Sequence, residues 1–198
     1  MAEISRDDAW ELVCEWVGSE SLRRHLLGVE AGMRAYAREF EEDEERWAVT
    51  GLVHDLDYER YPDLDTGHPR FALEELKQRD YPQEVIEAVA GHADFMGVPR
   101  ETRMAKTLYA VDELSGFVAA CAMVRPTGIE GMTPKSVKKK LKQPSFAAGV
   151  NREEVERGIE ELGVDRDEHI RLIIAALQDQ AEELGLTPEQ VSAGEAGG

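Results

Sequence analysis

The doublet His54-Asp55 is the part of this sequence best equipped for chemistry. A neutral imidazole and a carboxylate are both good ligands for a divalent metal of borderline softness. Neighbouring residues on a helix point about 100° apart, so the pair can serve one metal only where the helix ends and its last turn opens. The doublet alone is common. Its weight comes from the other histidines. Four of the five in the chain, His25, His54, His68 and His92, stand on inward faces or at the ends of four different expected helices. Asp112 adds a carboxylate on or beside an apolar face, where an unpartnered charge would cost several kcal/mol. Each residue alone has a bland reading. A lone histidine on an apolar face is more often a satisfied core residue, and His169 is read that way. Together, the six form a mixed nitrogen and oxygen donor set.

Helical periodicity positions these residues, and strand alternation is nearly absent. Ser5-Arg6-Asp7-Asp8 reads as a capping box, with Trp10, Val13 and Val17 on one face and Gly18 as the stop. A second helix starts near residues 19–21. Its stripe is Leu22, Leu26, Val29 and Met33, and His25 shares that face. The acidic run 41–45 reads as a solvated connection. The third helix, Trp47 to Asp55, carries the doublet at its end. Residues 56–67 read as loop, and Pro69 opens the next helix, whose apolar residues are Phe71, Leu73 and Leu76. A helix from Gln83 to Ala93 aligns His92 with Val85 and Val89. A long helix over about 101–124 buries Leu108, Val111, Ser115 and Val118. Helices over 135–142, 151–163 and 166–185 follow, then a capped turn at 187–190.

The 198 residues fit one domain over 1–191, with a core at about 20–125, helices 134–191 packed on it and a disordered tail at 192–198. Acidic residues number 41 against 23 basic, a net charge of −18. Such a chain repels nucleic acid polymers and anionic membranes. Cys14 and Cys121 fit no pairing motif and read as reduced core thiols. The N-terminus has no basic-then-apolar signal, and the longest apolar run, Gly116 to Val124, is too short to span a bilayer. The expectation is a soluble, cytoplasmic protein.

The order His25 … His54-Asp55 … His68 … His92 … Asp112 resembles the HD-domain metal-dependent phosphohydrolases, over about residues 20–125. The resemblance implies an all-α, single-domain helical bundle. It implies a first metal held by His25, His54, Asp55 and Asp112, with Asp55 bridging to a second held by His68 and His92. Two divalent ions per chain are expected (Mn, Fe, Co or Mg). The implied reaction is attack of a metal-activated water on a phosphate ester or anhydride of a small nucleotide or related metabolite, with His54 and Asp55 as the catalytic pair. Asp57, Glu113 or Asp94 could orient a histidine from behind.

The sequence also departs from the family. Leu56-Asp57-Tyr58 stands where many members have Ile-Gly-Lys, so a lysine beside the substrate is missing. No Gly-Tyr-Pro follows His92, which disfavours the cyclic dinucleotide phosphodiesterases. Tyr58 replaces the glutamate of the nucleotidase branch. The stretch Asp112 to Gly116, followed by the lysine cluster, is similar to a further bacterial branch. Two alternatives stand beside the phosphohydrolase: a di-iron oxygenase with the same ligand set, and a non-catalytic nucleotide-sensing protein.

Basic candidates for a small phosphorylated substrate are Arg24, Arg70, Lys106 and the cluster Lys135, Lys138, Lys139, Lys140 and Lys142. The cluster reads either as a solvated helix face or as a flap bringing Lys135, Lys138 or Lys139 to the phosphate.

Overall fold

The computed structural model describes residues 4–195, and among them every regular element is helical. The all-α expectation holds. Helix α1 (Arg6–Trp16) starts on the Ser5/Asp8 capping box, and α2 (Glu20–Glu39) starts on Ser19. Leu26, Val29 and Met33 of the expected stripe are buried, while Leu22 is half-exposed. Cys121 is buried, but Cys14 is exposed, which corrects its reading as a core thiol.

Helix α3 (Glu44–Val53) begins three residues before the expected Trp47. Asp43 is the reason: its side chain accepts from the Arg46 amide at 3.0 Å. Glu44 and Glu45 then sit at the positive end of the helix dipole, so part of the acidic run is helix rather than connection. The helix stops at Val53. His54 keeps helical angles, and the chain leaves through successive turns from there. The last turn is open at the doublet.

Helices α4 (Arg70–Gln78), α5 (Gln83–His92) and α6 (Arg103–Met123) lie close to their expected bounds. Two glycines set how closely three of these helices cross. A Cβ on Gly51 of α3 would stand 2.9 Å from the Glu30 backbone of α2. A Cβ on Gly32 of α2 would stand 2.5 Å from a methyl carbon of Val111 on α6. Only glycine permits such approaches. Glu30, buried at the first crossing, is neutralised by Arg6 and Arg34, each at 3.1 Å. These crossings bring α2, α3 and α6 together where their histidines and aspartate lie.

Four C-terminal helices pack around α6 and α2, namely α7 (Pro134–Leu141), α8 (Arg152–Leu162), α9 (Arg166–Asp179) and α10 (Ala181–Leu184), and α11 (Pro188–Glu195) follows them. One helix over 166–185 was expected; it breaks at Gln180, and Leu184 and Leu186 turn inward beyond the break. Residues 192–195 belong to α11 rather than to a disordered tail, and 196–198 lie outside the described residues. No helix among the described residues is long and apolar enough to cross a membrane.

Candidate metal centre

Six side chains from five places in the chain converge on one point. His25 comes from the second turn of α2, His54 and Asp55 from the open end of α3, and His68 from the residue before Pro69 at the start of α4. His92 is the last residue of α5, and Asp112 lies midway along α6. Asp55 is the hub. Its Oδ2 lies 3.6 Å from His54 Nε2 and 3.9 Å from His25 Nε2. Its Oδ1 lies 3.2 Å from His92 Nε2 and 3.5 Å from His68 Nε2. Asp112 Oδ1 closes the first group, 3.0 Å from His25 Nε2 and 3.4 Å from His54 Nε2. Two candidate ligand groups result, His25–His54–Asp55 and Asp55–His68–His92, sharing one carboxylate.

The far side of three of these rings is already committed. His54 Nδ1 lies 2.8 Å from the Gly51 carbonyl, and His92 Nδ1 bonds the Val89 carbonyl. His68 Nδ1 lies 2.8 Å from Asp57 Oδ1. Asp57 is fully buried and its other oxygen accepts from the Ala72 amide at 2.9 Å, so this carboxylate fixes both His68 and the start of α4. A nitrogen that donates to such an acceptor leaves the lone pair of the other nitrogen pointing into the centre, which is how metal-binding imidazoles are held. Of the three acids expected behind a histidine, only Asp57 is there. Glu113 accepts from the Asn151 amide, and Asp94 binds Tyr109, Arg100 and Arg157.

His54 Nε2 is buried and has no hydrogen-bond partner. A buried polar atom without a partner costs free energy, and a divalent cation between it and the carboxylates would remove that cost. The electrostatics point the same way. Burial works against charge on His54, but the carboxylates of Asp55 and Asp112 outweigh it and raise the pKa to about 9. Burial likewise opposes charge on Asp55 and Asp112, and the histidines hold both below the usual carboxylate range. Without metal, a proton on His54 offsets part of the carboxylate charge. A cation can take the place of that proton, with its release. The residues present fit a divalent ion of mixed nitrogen and oxygen preference.

The centre opens into a cleft of about 460 Å³, walled by Tyr58, Phe95, Asp94, Glu113 and Glu154 as well as by every converging residue except His54. Tyr58 meets His68 edge-on, with ring centres 5.2 Å apart. Among the described residues, no lysine or arginine lines the cleft. The basic candidates lie elsewhere. Arg24 pairs with Glu20 at the mouth of a neighbouring cavity. Arg70 donates to the Leu64 carbonyl at 2.8 Å, holding the loop before α4. Lys106 is half-buried near the start of α6. Lys138 pairs with Asp167 at 2.6 Å, and Lys140 lies over the Phe146 ring. Lys135 and Lys139 also stand outside the cleft lining. Sequence reasoning missed Glu154, Phe95 and Val150 as wall residues. They reach the cleft only through the packing of α8 and the turn after α5, and no local pattern marks them.

The family model of the HD domain matches residues 22–116. That stretch holds all six converging residues and ends at Gly116, one turn past Asp112. No curated protein and no solved structure matches the chain. An all-α bundle, a histidine-aspartate doublet at a helix end and this match together identify residues 22–116 as an HD domain.

Proposed function

We propose that this protein is a metal-dependent phosphohydrolase that binds two divalent ions and cleaves a phosphate ester or anhydride of a small substrate. The observation that carries the reading is Asp55. Each of its oxygens faces a different pair of histidine nitrogens, an arrangement that would let it serve two ions. A bound metal pair supplies Lewis acidity toward the phosphoryl oxygens and lowers the pKa of water toward neutrality. The chain's own residues do the rest. His25, His54, Asp55 and Asp112 would hold one ion, and Asp55, His68 and His92 would hold the other. Asp57 holds the His68 ring with its Nε2 toward the centre. With no lysine or arginine lining the cleft, compensation of phosphate charge falls to the ions. The deep position of His54, fully buried, keeps competing water from the inner ligand.

The test is elemental analysis and phosphate release from a generic phosphate monoester, using protein loaded with Mn, Fe, Co or Mg. Metal retained and phosphate released by the parent, with both lost in His54→Ala and Asp55→Ala, supports the reading. Unchanged metal content in both variants contradicts it.

A further inference from the structure

A second cavity, of about 430 Å³, adjoins the metal cleft and shares two of its residues, His25 and Gly116. Its outer wall is built from Met123, Leu177, Leu184 and Leu186. Those residues lie beyond the stretch matched by the family model, so the cavity depends on the C-terminal helices of this chain. The break at Gln180 is what brings Leu184 and Leu186 to it. Its floor is made of small residues, Gly28 on α2 and Ala119 and Ala120 on α6. A Cβ on Gly28 would meet nothing within 4 Å, so the space above that turn of α2 is open. Ser115 lines the same space; its hydroxyl is buried and has no hydrogen-bond partner. Core helices rarely leave room of this size beside an unpartnered hydroxyl. At roughly 30 Å³ for a water-sized group, the space admits up to about a dozen non-hydrogen atoms.

We propose that this cavity receives the apolar portion of the substrate whose phosphate lies at the metal centre. The substrate class is a phosphate monoester of an alkyl or aryl alcohol. His25 and Gly116 form the threshold between the two compartments. A Cβ on Gly116 would stand 3.7 Å from His25 Nδ1, so a residue larger than alanine would narrow this threshold. Hydrolysis joins a water oxygen to phosphorus and breaks the phosphorus–oxygen bond to the alcohol, which leaves with a proton. The inference deepens the phosphohydrolase reading and rests on it.

The experiment uses alkylphosphonates from methyl to octyl, which bind without being cleaved, titrated calorimetrically into the metal-loaded protein. Affinity rises about three- to fourfold per methylene until the cavity is full. In Gly28→Leu, which fills the cavity from α2, the rise with chain length disappears while metal content matches the parent. Ala119→Leu fills the same space from α6 and does the same, should the first variant not fold. Affinity independent of chain length in the parent overturns the proposal, as does an equal rise in parent and filled variants. Phosphate release from the matching alkyl phosphates separates the two readings. Rising affinity without release supports the cavity and removes the hydrolase, while release with flat affinity keeps the hydrolase and removes the cavity.

Discussion

His54 and His169 are both buried imidazoles of one chain, and they have opposite chemistry. His169 is satisfied at both nitrogens: the Tyr36 hydroxyl bonds its Nδ1, and its Nε2 lies 3.0 Å from the Ala110 carbonyl. Burial pushes its pKa down to about 4. His54 is satisfied at Nδ1 alone, its Nε2 faces two carboxylates, and its pKa rises to about 9. The neutral ring with two bonds ties α9 to α6 and α2. The ring with an open nitrogen and acidic neighbours is built to receive a cation. Burial alone does not separate a core histidine from a candidate ligand; what the second nitrogen faces does.

The strongest way to break the comparison is to remove the acidic partner. Asp55→Asn keeps the shape of the side chain but takes away the charge shared by both ligand groups, and it is expected to empty both positions. Elemental analysis of the purified variant checks this; two ions retained would show that the histidines suffice without the carboxylate. Asp57→Asn is expected to act more gently and on one side. It weakens the hold on His68 Nδ1, so affinity at the His68/His92 position should fall about 10- to 100-fold. A metal titration should show one tight and one weakened site, whereas two equally weakened sites would mean that Asp57 serves the fold rather than His68.

His169→Gln should leave metal content unchanged and cost about 1–3 kcal/mol of stability through the lost bonds to Tyr36 and Ala110. Its pH dependence sharpens the contrast. The folded pKa of about 4 lies below the ordinary histidine value of roughly 6.5, so the unfolded chain takes up the proton first as pH falls. Parent stability from this residue is fully present above about pH 6.5 and is lost as pH falls toward 4, by roughly 3 kcal/mol in all. Denaturant unfolding of parent and variant at several pH values should show that segment only in the parent. Parallel curves would mean that His169 is not held neutral by its surroundings.

The six converging residues were legible because four are histidines, rare in this chain, and all six stand at positions fixed by helical period or by a helix end. His25, His92 and Asp112 follow from spacing to buried neighbours, and His54-Asp55 follows from the end of an apolar run. Boundaries were less legible. Asp43 caps α3 and extends it backward into an acidic run that composition alone assigns to solvent. The break at Gln180 leaves no mark that period analysis can read, since Leu177, Ala181 and Leu184 continue the helical spacing across it. Positive charge was the weakest guide to the cleft lining. A lysine or arginine advertises its charge but not its partner, and Arg24, Arg70 and Lys138 have partners outside the cleft. The cavity walls depend on contacts between helices far apart in sequence, which no local pattern encodes.

The central claim is that Asp55 joins two metal positions rather than completing one. Metal stoichiometry in parent and His92→Ala protein, loaded alike and measured by elemental analysis against protein concentration, tests it most directly. The expected result is two ions per chain in the parent and one in the variant, with the remaining ion held by His25, His54, Asp55 and Asp112. Equal stoichiometry in the two proteins would contradict the shared carboxylate and leave a single metal position.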